Sequence, residues 1–239
     1  MQVVIFCGGK GTRLKPHTKE LPKPMILVGN KPILWYIMKV YSRHEHKDFI
    51  LCLGHLGGKI REYFQDSKNV EKDWNITFVD TGLEKNKGER LKKVKDFIKE
   101  DNFLVAYGDD LSDVDINEVL ESHRQNNKIV TLTAVNPISQ YGILEIDGNE
   151  VIGFKEKPRL DHWINGGYFV FNKKIFGYLK EGWDLEKEVF KELAKKRQIN
   201  AFKHVGFWMS MNTLKDVIEL NELWKGGELQ NILFKDDET

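Results

Sequence analysis

Through the first half of the chain, short unbroken apolar runs alternate with stretches whose apolar residues recur every three or four positions. The runs "VVIF", "FILCLG", "ITFVD" and "FLVAYGD" show little apolar–polar alternation, which predicts strands buried on both faces. Between them, "ILWYIMKVYSRH", "GKIREYFQ", "GERLKKVKDFIKE" and "DINEVLESHRQN" have helical spacing. In the third, Leu91, Val94 and Ile98 share one face. In the fourth, Asp115 stands three residues before Glu118, the pattern of a capping box. Strand and helix in turn imply right-handed crossovers and a mainly parallel sheet covered on both sides.

After residue 128 the rhythm changes. "IVTLTAV", "YGILEID", "EVIGFKEK" and "NGGYFVF" read as strands with few helices between them, and "EIDGNEVIGF" reads as a hairpin turning at Asp147-Gly148. A helix, "DLEKEVFKELAKK", a strand, "INAFKH", and a last helix, "TLKDVIELNELWK", follow. The tail "FKDDET" is polar and expected to be mobile. The predicted fold class is α/β: a Rossmann-like, mixed, mainly parallel sheet flanked by helices, with an appended antiparallel region. No repeat or long linker divides the 239 residues, so a single domain is expected over 1–239.

Charge and cysteine content narrow the function classes. Lys and Arg number 37 against 36 Asp and Glu, a net charge of +1, so no global field draws the chain to nucleic acid or an anionic membrane. The six tryptophans are scattered without a basic stripe between them, which argues against a nucleic-acid platform. Cys7 and Cys52 lie in apolar runs and read as buried free thiols in a reducing cytosol. The start does not resemble a signal peptide, and no apolar run approaches the roughly 18 residues of a membrane span. A cytoplasmic protein is expected.

In open parallel sheets, ligands bind beyond the carboxyl ends of the strands. Four stretches fall there: "CGGKGTRL", "GHLGG", "DTG" and "YGDD". The first is neither the dinucleotide fingerprint nor a P-loop, yet its glycines let backbone N–H groups approach an anion, and Lys10 and Arg13 add charge. A tight strand-to-helix turn with incidental charges is the plainer reading. Lys23, between Pro22 and Pro24, sits on a stiffened backbone, suited to a cation that meets charge developing in a transition state; a surface lysine in a turn is the alternative. Asp109 and Asp110 follow a buried strand, where a carboxylate is either a Mg²⁺ ligand or a turn residue. "FKEKP" and "INGGYFV" supply Glu156, Lys157 and Asn165, which suit a phosphorylated polyol or an ordinary charged hairpin. The histidines form no metal pattern, and there is no G-x-S-x-G or C-x-x-C.

This set of groups has no evident general base. One reaction class needs none: a phosphate monoester, already a dianion near neutral pH, attacks the α-phosphorus of a nucleoside triphosphate and expels pyrophosphate. The obstacle is bringing polyanions together, which cations and Mg²⁺ overcome by neutralising charge and holding the groups in line.

"GGKGTRLKPHTKELPKPM" resembles the signature of the sugar-1-phosphate nucleotidyltransferases. Together with "KPILWYIMKVYS", "DFILCLGHLGGKIREYF", "WNITFVDTG", "GERLKKVKDFI", "YGDDLSDVDI", "FKEKP", "INGGYFVFN" and "GFWMSMNTLKD", it is similar more narrowly to the glucose-1-phosphate cytidylyltransferases over nearly the whole chain. The resemblance implies CTP and a sugar 1-phosphate as substrates, Mg²⁺ or Mn²⁺ as cofactor, and a homo-oligomer. It implies a mainly nucleotide-binding part over 1–128 and a mainly acceptor-binding part with the C-terminal helix over 129–239. Lys23, Arg13 and Asp109 would be catalytic. Gly8, Gly9, Gly11, Thr12 and Arg13 would cradle the nucleotide, with Thr81, Gly82, Gly88 and Arg90 reading cytosine. Tyr141, Gly142, Glu156, Lys157, Asn165 and Gly166 would stand on the acceptor side, and Asp109 and Asn212 would hold the metal.

Three departures from that pattern stand out. Asn212 replaces the aspartate of Met-Asp-Thr, Asp110 replaces the glycine of "YGDG", and the segment between "REYF" and "WNITFVD" is short. They weaken the assignment of glucose 1-phosphate and leave two other readings open. One is a cytidylyltransferase for a different phosphorylated acceptor. The other is a weakened relative that binds nucleotide or sugar phosphate and regulates a partner.

Overall fold

The computed structural model describes residues 1–14 and 20–234. β1 (Gln2–Phe6) opens into the glycine loop and a 3-10 turn, Thr12–Leu14. A second such turn, Lys23–Met25, leads into a small hairpin of β2 (Leu27–Val28) and β3 (Lys31–Pro32). The expected alternation follows: α1 (Ile33–Arg43), β4 (Asp48–Leu53), α2 (Gly57–Gln65), β5 (Asn75–Asp80), α3 (Lys87–Lys93) and β6 (Asn102–Tyr107). Then come β7 (Asp110–Ser112), α4 (Ile116–Asn126), β8 (Val130–Val135), β9 (Ile143–Asp147), β10 (Glu150–Lys155) and β11 (Ile164–Asn172). The helix after Asp184 opens with a π-type turn, Leu185–Phe190, and continues as α5 (Lys191–Lys195). β12 (Ile199–His204), β13 (Trp208–Ser210), α6 (Leu214–Lys225) and α7 (Glu228–Phe234) complete the order.

Seven strands form one sheet in the order β12-β8-β11-β6-β1-β4-β5. β1 pairs in parallel with β4 and β6, β4 with β5, and β12 with β8, while β11 runs against both β6 and β8. Side chains alternate between two cores. Val3, Ile5 and Cys7 join the core under α1, and Val4, Phe6, Ile50 and Cys52 join the one on the other face. Both faces of β1 are therefore buried, as its unbroken apolar run predicts, and each such side chain removed from water contributes about 1.5–3 kcal/mol. Cys7 and Cys52 are buried free thiols on opposite faces. Among the described residues, no helix is long and apolar enough to cross a membrane.

The second half differs from expectation in its sheet. β8, β11 and β12 complete the central sheet, so the antiparallel appendage is the β9–β10 hairpin alone, turning at Gly148 with φ +57°. α3 is shorter than its periodicity predicts: it ends at Lys93, and a 3-10 turn, Lys95–Phe97, follows, yet Leu91, Val94 and Ile98 stay buried. Asp115 caps α4, accepting from the backbone N–H of Asn117 and Glu118. α7 was not expected. Phe234, the first residue of the predicted polar tail, stacks on Tyr36 with ring centroids 6.3 Å apart, and residues 235–239 lie outside the described residues.

Candidate active site

A cleft of about 600 Å³ opens at the carboxyl ends of β1 and β6, where the sequence motifs converge. Gly8, Gly9, Gly11 and Thr12 line one wall, Lys23 and Asp109 the floor, and Arg90, Asn165 and Asn212 the remaining sides. Arg13 lies in the turn Thr12–Leu14, and its side chain is outside what the structure describes.

The glycines of the loop have separate reasons. A Cβ on Gly8 would stand 2.2 Å from Arg90 Nη1, so a side chain there would displace the guanidinium. A Cβ on Gly9 would meet nothing within 4 Å, which leaves its backbone open to the cleft. Gly11 has φ +58°, the left-handed conformation that glycine adopts without strain.

Arg90 ties this loop to the loop after β5. Its Nη1 donates to Leu53 O (3.1 Å), Thr81 Oγ1 (2.7 Å) and Gly82 O (2.8 Å), and its Nη2 to Gly8 O (3.0 Å) and Leu83 O (3.2 Å). Thr81 is fully buried, and its hydroxyl donates to Leu53 O at 2.6 Å. Four of the residues implied as base readers thus separate. Arg90 borders the cleft, whereas Thr81 and Gly82 serve as its partners behind the wall. Gly88 lies away from the cleft: a Cβ there would come within 2.4 Å of Trp183 O, so its smallness lets α3 pack on that loop. Lys85, Asn86 and Lys87 line the cleft instead. Asn86 caps α3 in a full capping box with Glu89, and "N-K-G-E" carried that signal unread.

On the opposite side, Tyr107 donates to the Glu186 carboxylate, which also pairs with Lys87; the Lys87 ammonium lies 4.3 Å from the Tyr107 ring centroid. Asn165 Nδ2 donates to Tyr107 Oη at 3.1 Å, and its Oδ1 accepts from Gly167 N. Burial and the adjacent Glu186 carboxylate push the Tyr107 phenol far up, so it stays protonated and a donor. Of the six acceptor-side residues implied by resemblance, Asn165 is the one that borders the cleft. Gly166 sits behind it, its carbonyl accepting from Trp208 Nε1 at 2.8 Å. Tyr141 is 75% exposed, a Cβ on Gly142 would meet the Phe154 ring at 2.5 Å, and Glu156 and Lys157 pair with each other at 3.6 Å. All four belong to the base and arms of the hairpin.

At the floor, Pro22 with φ −67° leads into the turn that starts at Lys23, and the buried Pro24 follows. The Lys23 ammonium forms an ion pair with Asp109 and donates to Asn212 Oδ1 at 2.9 Å. Asn212 is fixed from behind: its backbone N–H donates to Asp216 Oδ2 (2.8 Å), the carboxylate that completes the capping box of α6 with Thr213. Its Nδ2 donates to Ser210 Oγ at 2.6 Å. Asp110, on β7, is buried beside them, and desolvation together with the Asp109 charge raises its carboxyl well above the usual range.

The oxygen chemistry of Asp109 and Asn212 fits a hard divalent cation. Both converge on one ammonium, so two oxygen donors already face a common cation position. No group of three or more His, Cys, Asp or Glu side chains is arranged around a metal position among the described residues, so the remaining ligands would come from phosphate and water, the usual habit of Mg²⁺.

The profile of the nucleotidyl transferase family matches residues 2–225. The chain is 41% identical to the glucose-1-phosphate cytidylyltransferase of Salmonella typhi over 251 positions, covering 95% of this chain and 97% of that one. It is 37% identical to a probable glucose-1-phosphate cytidylyltransferase of Bacillus subtilis over 248 positions, covering 95% and 98%. Both alignments are longer than this chain, so the relatives carry residues that it lacks. Among solved structures, HddC from Yersinia pseudotuberculosis complexed with GMP-PN superimposes with a TM-score of 0.73 at 24% identity, over 93% of this chain and 99% of that one. A putative glucose-1-phosphate thymidylyltransferase from Bacillus anthracis gives 0.73 at 21%, over 93% and 94%. The fold is thus shared with these solved structures and the sequence with these relatives, and the chain belongs to the nucleotidyl transferase family, aligned along nearly its whole length with glucose-1-phosphate cytidylyltransferases.

Proposed function

We propose that the protein catalyses transfer of a cytidylyl group from CTP to a sugar 1-phosphate, with glucose 1-phosphate the preferred acceptor, giving a CDP-sugar and pyrophosphate. The observation that carries this reading is Lys23, held between the Asp109 carboxylate and the Asn212 carbonyl at the floor of a glycine-lined cleft. An acceptor phosphate oxygen forms the new bond to the α-phosphorus, and the bond from that phosphorus to the β-phosphate bridging oxygen breaks, its electrons leaving with pyrophosphate. No proton has to be removed from the nucleophile, which agrees with a floor that holds no free base among the described residues. The work left to the protein is to place and neutralise two polyanions. Lys23 supplies a positive charge at the reacting phosphates, and the open backbone of Gly9 supplies donors to the triphosphate. Asp109 and Asn212 would hold Mg²⁺ or Mn²⁺, which when bound neutralises phosphate charge.

Residues 1–128 supply most of the nucleotide side and 129–239 the acceptor side, through Asn165 and the strand β13. The acceptor is read more broadly than the nucleotide. The hairpin residues Tyr141, Gly142, Glu156 and Lys157 stand off the cleft, which favours, as a second reading, another phosphorylated small molecule in place of glucose 1-phosphate. The same hairpin supports a homo-oligomer, because Leu144, Ile146, Val151 and Phe154 are exposed along it. The two free thiols agree with a cytoplasmic enzyme.

The test is pyrophosphate release with CTP, UTP, dTTP and GTP, Mg²⁺ or Mn²⁺, and a panel of phosphorylated sugars and non-sugar acceptors. Release that requires CTP and is fastest with glucose 1-phosphate is expected. Equal use of UTP refutes the cytidylyl assignment, and no release with any pair refutes the enzyme reading.

A further inference from the structure

Asp110 touches neither Lys23 nor Asn212 through any hydrogen bond above, yet the fold makes a specific place for it. It lies on β7 directly opposite Ser210 on β13, a register that sets its carboxyl group beside the Ser210 side chain. On the other side, a Cβ on Gly167 would stand 2.3 Å from Asp110 Oδ2, and Gly167 holds φ +81° in an irregular stretch of β11. Three elements thus close around one carboxyl group that is only 5% exposed.

The direction of each hydrogen bond is set by donor chemistry. Lys23 Nζ only donates, so the Asn212 atom facing it at 2.9 Å is the oxygen. The Asn212 nitrogen then faces Ser210 Oγ at 2.6 Å and donates to it. Ser210, having accepted, has its own proton left to offer, and the group paired directly opposite it is the Asp110 carboxyl. The chain therefore runs in one sense, from Asn212 to Ser210 to Asp110, and anchoring its far end keeps the near end from turning. We propose that Asp110 is a positioning residue: acting through Ser210, it holds the Asn212 amide with its oxygen toward Lys23 and the cation position beside Asp109.

This inference rests on the functional reading above only where metal is concerned, so the experiment pairs a readout free of catalysis with one that needs the cation. The first is the side-chain amide signal of Asn212 in nitrogen-15 NMR spectra of nucleotide-free protein, assigned by its loss in Asn212→Asp. The second is the Mn²⁺ concentration giving half-maximal pyrophosphate release. Ser210→Ala and Asp110→Ala are each expected to move the Asn212 signal and to raise the Mn²⁺ requirement about tenfold, as for loss of an outer partner of a metal ligand. Ser210→Ala leaves every charge in place, so a raised requirement there is not a charge effect. Ser210→Thr keeps the hydroxyl and is expected to retain both wild-type values. Asp110→Ala added to Ser210→Ala is expected to move the Asn212 signal no further. An Asn212 signal unmoved by Asp110→Ala overturns the proposal, as does a Ser210→Thr protein that behaves like Ser210→Ala. Wild-type protein without turnover refutes the functional reading, while the amide signals still decide the role of Asp110.

Discussion

Truncating Arg90 to alanine tests whether the glycine loop is held by that one guanidinium. Three of its five acceptors, Leu53 O, Thr81 Oγ1 and Gly8 O, are buried, and the other two, Gly82 O and Leu83 O, are partly so. Each buried acceptor left unpaired costs about 1–3 kcal/mol. The vacated space borders the cleft, so water reaches part of it, and the expected loss is about 3–5 kcal/mol rather than the full sum. For a chain of this size that is a fall in melting temperature of roughly 6–20 °C. The assay is urea unfolding followed by tryptophan fluorescence, with a thermal melt as check. Arg90→Lys should recover only a fraction, because one ammonium cannot reach five acceptors spread over three loops. A loss below about 1 kcal/mol for Arg90→Ala would refute the reasoning, since surface substitutions alone reach that range.

Lys23→Ala should abolish pyrophosphate release while leaving the unfolding midpoint near wild type, because Asp109 faces the cleft and water can solvate it; release at the wild-type rate would remove Lys23 from the chemistry. Gly29→Ala should destabilise the protein by about 2 kcal/mol or more, since φ is +62° there and a Cβ would lie 2.1 Å from the Trp224 ring of α6; an unchanged midpoint in urea would contradict that packing. Stability should fall as pH drops from about 6.5 toward 4. Burial and the nearby N-terminal ammonium hold His46 down at about 4, so in that window the unfolded chain binds a proton that the folded one does not. A pH series of urea midpoints should therefore show a slope that His46→Gln flattens; an equal slope in both proteins would count against it.

The parts of this fold that were legible in the sequence are those set by local periodicity. β1, β4 and β6 are buried on both faces, so their apolar runs needed no partner to be recognised, whereas β5, read from its run as buried on both faces, lies at the sheet edge and is only half-buried. β7 and β13 are three residues each and exist because they pair with each other across about a hundred residues, a contact that no local pattern encodes. The same holds for the assignment of β8, β11 and β12 to the central sheet: antiparallel and parallel edges look alike in a strand's own sequence. At the site, Lys23, Asp109 and the glycine loop could be found because proline, paired aspartates and glycine are locally unusual. Ser210, Tyr107 and Glu186 are common residue types made specific by distant partners, and they were not singled out as site residues.

The glycines show where motif reading goes astray and why. Gly8 and Gly88 both sit in stretches that a sequence reader assigns to the nucleotide, yet only one is at the cleft. Glycine in a motif reports that something comes close to the backbone, without saying whether that is a ligand or the protein itself. For Gly88 the close neighbour is the Trp183 carbonyl, and for Gly8 it is Arg90. Gly9 alone of the three would have open space beside an added Cβ. A requirement for glycine that comes from the folded protein should appear as lost stability, whereas one that comes from a bound phosphate should appear as a raised KM. Gly88→Ala and Gly9→Ala thus fall on opposite sides of that division: the first should lower the unfolding midpoint, the second should leave it and weaken CTP binding. A Gly9→Ala protein that unfolds early and binds CTP normally would mean that the open space beside Gly9 is not where the triphosphate lies.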